Sequence, residues 1–153
     1  MFLLELSAAI HVVGVVIWIG GVAFVTIILF PMIQEMENPL EKALLFQRVE
    51  HRFTRLVRVV IVVVGITGAY NLHARGLYSI MTSPEGFWLD LMIGVYAVYA
   101  LLIFGLEKAL FKRIFKETQN LDADRIFRHM STFHWVVLTF SLLAVAGGVM
   151  GNH

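Results

Sequence analysis

Between Leu6 and Gln34 the chain carries no Asp, Glu, Lys or Arg, and the stretch LSAAIHVVGVVIWIGGVAFVTIILFPMIQ holds one histidine, His11. An apolar helix of roughly 20 residues crosses the hydrocarbon core of a bilayer, so this longer run reads as a membrane span with room to tilt. It begins almost at Met1, has no basic n-region and is too long for a signal h-region, which makes it a retained helix. His11 then becomes an intramembrane ionisable group, and such groups read by default as functional.

Composition supports a membrane class. Of 153 residues, 59% are hydrophobic and 15% charged, and the formal net charge is +1. That balance gives no case for a nucleic-acid surface. The absence of cysteine excludes disulfides, thiolate nucleophiles and Cys-ligated metal or iron–sulfur sites, and leaves His, Met and carboxylates as possible ligands.

Three further apolar segments follow. Asn38-Pro39 marks a turn, and Leu40 to Arg48 has the composition of a short interfacial helix. A second span runs from Arg55 to about Ala74. In the next connection Thr82 and Glu85 have capping-box spacing, with Pro84 suited to a first helical turn. The third span carries FWLDLMIGVYAVYALLIFGL and continues into the polar tail EKALFKRIFKE; the fourth is uncharged from His129 onward. The expectation is one all-α domain over 1–153, an integral membrane four-helix bundle with spans near 6–34, 55–74, 86–107 and 129–150. Open sheet edges do not survive in lipid, which sets strands aside.

Basic residues give an orientation. Lys42, Arg48, Arg52, Arg55 and Arg58 flank the first connection, and Lys108, Lys112, Arg113, Lys116, Arg125 and Arg128 the third, whereas the second has only Arg75. The positive-inside rule makes connections one and three cytoplasmic, with both termini outside, in the periplasm of a bacterial-type inner membrane.

This topology sorts the histidines by depth. His11 and His73 lie at the outer level; His51, His129 and His134 lie at the inner one. Steps of three and four align His51, Arg55, Arg58, Val62, Gly65, Ala69 and His73 on one face of the second helix. On the first helix they align His11, Val15, Trp18, Val22, Val25, Leu29, Met32 and Met36, and on the fourth Met130, His134, Leu138, Ser141, Val145 and Gly148. Facing histidines in a helical bundle suit haem b, one or two groups, with glycines such as Gly65 making room for the macrocycle. Copper also suits His and Met. The candidate metal ligands are His11, His73, His134, His51 and His129, paired as His11 with His73 and His134 with His51 or His129. Arg52, Arg55 and Arg58 have the guanidinium chemistry to pair with haem propionates. Plainer roles stand beside these: His51 and His129 as interfacial histidines, His73 as a helix cap, the arginines as lipid-phosphate contacts, and His153 as a terminal residue. Trp18 reads as core, Trp88 and Trp135 as an interfacial belt. Gly20, Gly21, Gly65, Gly68, Gly147 and Gly151 allow close helix approach.

The segments HVVGVVIWIGGVAFVTIILFPMI, HRFTRLVRVVIVVVGITGAY and FWLDLMIGVYAVYALLIFGLEKALFKR resemble the membrane domain of copper resistance protein D. The pattern is a histidine seven residues before Trp-x-Gly-Gly, then Arg-Phe, then Thr-Gly, carried here by His11, Trp18, Gly20, Gly21, Arg52, Phe53, Thr67 and Gly68. The opening helix is also similar to that of small HemJ-type protoporphyrinogen oxidases, which implies haem binding at the first-helix histidine. Those proteins carry a lysine shortly after a third-helix tryptophan; here Leu89, Asp90, Leu91 and Met92 follow Trp88.

Three functions follow as expectations. The first is a b-type haem protein passing electrons between a quinone and a membrane redox partner, with Asp90 and membrane-face histidines as proton relays. The second is CopD-like copper handling, with His11, His73 and methionines passing the ion inward. The third is a non-catalytic assembly or anchor subunit, or a homodimer packed through its glycine faces.

Overall fold

A computed structural model describes residues 1–106 and 123–151. The polar tail with Lys108, Lys112, Arg113 and Lys116, and also His153, lie outside the described residues. Helices make up the described chain, with no strand among the described residues. Four are long and apolar enough to cross a membrane: α1 (Phe2–Glu35), α2 (Pro39–Ala74), α3 (Pro84–Gly105) and α4 (Asp124–Met150). The multi-pass, all-α architecture expected from the apolar runs is therefore present.

α1 is not uniform. It is α-helical over Phe2–Phe24, widens into a π turn at Val25–Leu29, and resumes at Phe30–Glu35. Pro31 explains the widening: it lacks an N–H and its ring clashes with the carbonyl four residues back, so the preceding turn opens to accommodate it. The extra residue in that turn rotates everything beyond it. Val15, Trp18, Val22, Val25 and Leu29 follow the expected inward stripe, but Met32 turns out, half-exposed, while Phe30 and Ile33 are fully buried.

α2 is longer than the sequence suggests. Leu40 to Arg48 is the first part of one continuous 36-residue helix rather than a separate interfacial piece. Asn38 caps it by accepting from the Leu40 and Glu41 amides, and Pro39 fits the first turn. Its end is set by Gly76, whose φ of +65° is the left-handed conformation that glycine adopts without strain.

Before α3 the cap is Ser83, not Thr82. Ser83 Oγ accepts from the Gly86 amide at 3.1 Å and donates to the Ile80 carbonyl at 2.7 Å. Thr82 sits at φ +63°, and its amide donates to Asp90 Oδ2 at 3.0 Å. A single 3₁₀ turn, Pro84–Gly86, thus precedes the α-helical stretch Phe87–Leu101, and with Gly86 three residues after Ser83 no reciprocal capping box forms.

Packing is densest between α1 and α2 and between α3 and α4, and α4 also touches α1 and α2. The central core joins Trp18, Val22, Val57, Ile61, Tyr99 and Leu138; a second cluster, toward the α1–α2 turn, joins Val25, Leu29, Phe30, Ile33, Phe46 and Phe127. Val12, Val16, Val59, Ile66, Leu142 and Leu143 are exposed around the outside, the surface that lipid covers.

That second cluster is closed by a charge. Lys42, only 4% exposed, donates to Asp124 Oδ1 at the start of α4 and to the Gln34 carbonyl near the end of α1. A cation on the terminal carbonyls of one helix and an anion in the first turn of another each complement the helix dipole there.

Candidate functional site

Helix phase separates the histidines. The inward stripe of α2 is Phe46, Thr54, Val57, Ile61 and Val64, all buried. The expected row is His51, Arg55, Arg58, Val62, Gly65, Ala69 and His73; all but Gly65, which lies under Tyr96, are exposed, and Arg52 is exposed as well. His51 Nε2 accepts from Arg55 Nη2 at 3.0 Å. His73 packs edge-on to Tyr78 with ring centroids 6.2 Å apart. His129 is exposed and its Nδ1–H donates to the Arg125 carbonyl at 2.7 Å.

His11 and His134 are the two that turn inward. His134 lies on the expected inward stripe of α4, with Nδ1–H donating to the Met130 carbonyl at 2.9 Å and its ring edge-on to Phe30 at 4.9 Å. Phe30 lies about 28 Å along α1 from His11, so the two histidines occupy opposite ends of the bundle. Each expected pair joins an inward histidine to an exposed one, His11 with His73 and His134 with His51 or His129. His73 lies six residues beyond Thr67, about 9 Å along α2 and a third of a turn around it from the side that meets His11.

His11 sits in a polar seam between α1 and α2. Its Nδ1 lies 3.0 Å from the Val64 carbonyl and 3.2 Å from Thr67 Oγ1. A carbonyl only accepts, so Nδ1 carries the proton, and in the neutral ring Nε2 keeps its lone pair. Thr67 passes its own proton to the Val63 carbonyl at 2.7 Å and is left able to accept. Asn71 Nδ2 donates to the Thr67 carbonyl at 2.8 Å and, more loosely, to Ser7 Oγ at 3.4 Å. Ser7 Oγ makes a long contact of 3.5 Å to the same carbonyl. An imidazole anchored through Nδ1–H to a carbonyl is how proteins fix the ring so that Nε2 can take a metal.

Ser7 and Asn71 join the seam without a motif of their own in the sequence. Their signal is one helical turn: Ser7 precedes His11 by four residues and Asn71 follows Thr67 by four, so polar residues at that spacing flank both partners.

The glycines receive protein side chains. Gly68 lies under His11, where an added Cβ would come within 3.0 Å of Cε1; Gly14 lies under Val64, Gly21 under Phe53, and Gly65 under the Tyr96 hydroxyl. Gly147, Gly148 and Gly151 take Trp88 and Met92, which draws Trp88 into the α3–α4 contact. Trp135 is about half exposed on the outer side of α4. Trp18 is core as expected, 3% exposed and edge-on to Tyr99 at 4.7 Å. The space beside these glycines is thus filled from within the chain, whereas a Cβ on Gly20 or Gly94 would meet nothing within 4 Å. Among the described residues no three or more His, Asp or Glu side chains form a group that could hold a metal ion.

The sequence pattern resolves into contacts across one seam: His11 on Thr67-Gly68, and Gly21 on Phe53. The family model described as copper resistance protein D matches residues 47–149. The chain belongs to the copper resistance protein D family. The matched stretch takes in the α2 half of the seam, with Arg52, Phe53, Thr67 and Gly68, together with α3 and α4, while His11 precedes it. No curated protein and no solved structure matches the chain.

Proposed function

We propose that this copper resistance protein D family member moves or holds copper within the inner membrane, with His11 as its first donor at the outer end of the bundle. The observation that carries the reading is the His11 imidazole, oriented by the Val64 carbonyl so that Nε2 stays free, in a membrane chain of a copper-resistance family. Imidazole nitrogen is a good copper donor in either oxidation state. His134 offers a second oriented imidazole at the opposite end, so an ion passing through meets one on each side of the bilayer. A donor set this sparse suits transit, in which release matters as much as capture.

Haem-linked electron transfer, with its quinone and redox partner, has less behind it. A b-type haem needs imidazoles converging on one macrocycle with open space beside them, and here the inward histidines stand at opposite ends while Gly14, Gly21, Gly65 and Gly68 accept side chains.

Metal analysis and an optical spectrum of the purified protein test the proposal. It expects copper to bind to the metal-free protein with loss of binding in His11→Ala, and no Soret band. A Soret band that disappears in His11→Ala would overturn it in favour of haem.

A further inference from the structure

One row of side chains runs along the outside of α2 at alternating steps of four and three residues: Arg48, Arg52, Arg55, Val59, Val62 and Ile66. Every member is exposed. Half of the row is apolar and belongs to the surface that lipid covers, while the other half spreads its guanidinium groups over about 10 Å of helix toward the α1–α2 turn. The change of chemistry falls between Arg55 and Val59, within about one turn, where acyl chains give way to headgroups. No carboxylate answers these cations. Glu50, the one acidic residue between Arg48 and Ile66, lies on the opposite side of the helix, where it accepts from Thr54 Oγ1 at 2.8 Å and its second oxygen is buried. Arg48 and Arg52 make no hydrogen bond or ion pair among the described residues, and Arg55 donates to His51 Nε2, an uncharged acceptor.

We propose that this row seats one anionic phospholipid, its phosphate held by Arg48, Arg52 and Arg55 and an acyl chain lying along Val59, Val62 and Ile66. Charge complementarity selects the occupant. A guanidinium takes phosphate oxygens in a bidentate fork, and its methylene stem lies along apolar surface, so these arginines reach headgroup depth with their stems in hydrocarbon. A zwitterionic headgroup carries its own ammonium beside the phosphate and gains little from clustered cations, whereas a net negative one is drawn to them. The site does not depend on the copper reading. It lies on the lipid side of α2, opposite the buried residues Thr54, Val57, Ile61 and Val64. A lipid held there fixes the depth of the helix that presents Val64 and Thr67 to His11.

The test uses the whole protein in detergent micelles, titrated in parallel with phosphatidylglycerol and with phosphatidylcholine and followed by native mass spectrometry, which resolves the lipids bound to each protein. The parent should take up a first phosphatidylglycerol ahead of any other and prefer it to phosphatidylcholine by about tenfold or more. Arg52→Gln should weaken that first binding about fivefold, the scale of one cation at a membrane surface. Arg52→Lys, which keeps the charge, should lose less than Arg52→Gln. The variant combining Arg48→Gln, Arg52→Gln and Arg55→Gln should bind the two lipids alike, and Arg75→Gln, at the far end of the same helix, should match the parent. Equal binding of both lipids by the parent would overturn the proposal, as would a preference that survives in the combined variant. Displacement of the lipid by inorganic phosphate at matching concentration would overturn it too, because the arginines would then hold a phosphate with no acyl chain.

Discussion

The ring of His11 rests on Gly68, so close that a methyl group added to the glycine would come within 3.0 Å of His11 Cε1. About one turn of α2 backbone thereby sets the imidazole twice, through the Val64 carbonyl on one side and the bare Gly68 surface on the other. Gly68→Ala should push the ring by a few tenths of an ångström and loosen the 3.0 Å bond. Overpacking of this kind costs about 1–3 kcal/mol. A fall in copper affinity with the helical circular dichroism spectrum unchanged is the expected outcome, measured by copper titration.

Gly20 and Gly21 are neighbours with opposite surroundings. Nothing lies within 4 Å of a Cβ built on Gly20, while one on Gly21 would meet the Phe53 ring. Gly21→Ala should therefore destabilise the α1–α2 pair by about 1–3 kcal/mol, and Gly20→Ala should be neutral or slightly stabilising, since alanine is the better helix former. Thermal unfolding of the two variants in one detergent compares them directly.

Much of this contrast is out of reach of the sequence. The apolar runs fix four spans because only helices satisfy their own backbone in lipid. Which side of each helix faces in is harder, because lipid and core are equally apolar and hydrophobic periodicity fades. Spacing alone places His51, Arg55, Arg58 and His73 on one face of α2, and the structure turns that face outward. The π turn before Pro31 turns Met32 off the inward stripe, a register change that regular periodicity does not anticipate. His11 and His134 were legible because polar residues within apolar runs have few places to go. Ser7 and Asn71 were not, since their role depends on how α1 and α2 meet.

The Lys42–Asp124 pair ties the buried end of α2 to α4. Asp124→Asn leaves an ammonium buried with a neutral partner, whereas Lys42→Met with Asp124→Asn removes the charge altogether. The double variant should unfold at a higher temperature than Asp124→Asn alone. Equal midpoints would mean that Lys42 finds another anion.

The outward histidines and the inward ones should separate in function. His51→Ala, His73→Ala and His129→Ala should each leave copper binding and transfer as in the parent. His134→Ala should keep copper binding at the His11 end yet slow its arrival on the opposite side, as followed in proteoliposomes by a copper-sensitive dye sealed inside. Loss of binding in His73→Ala with His11 intact would place the donor set elsewhere.

Copper accumulation by cells producing the parent chain or His11→Ala, at matched protein levels in the membrane, bears most directly on the central claim. The account expects the parent to change cellular copper and His11→Ala to return it to the level of cells without the protein. Equal accumulation in the parent and His11→Ala would contradict it.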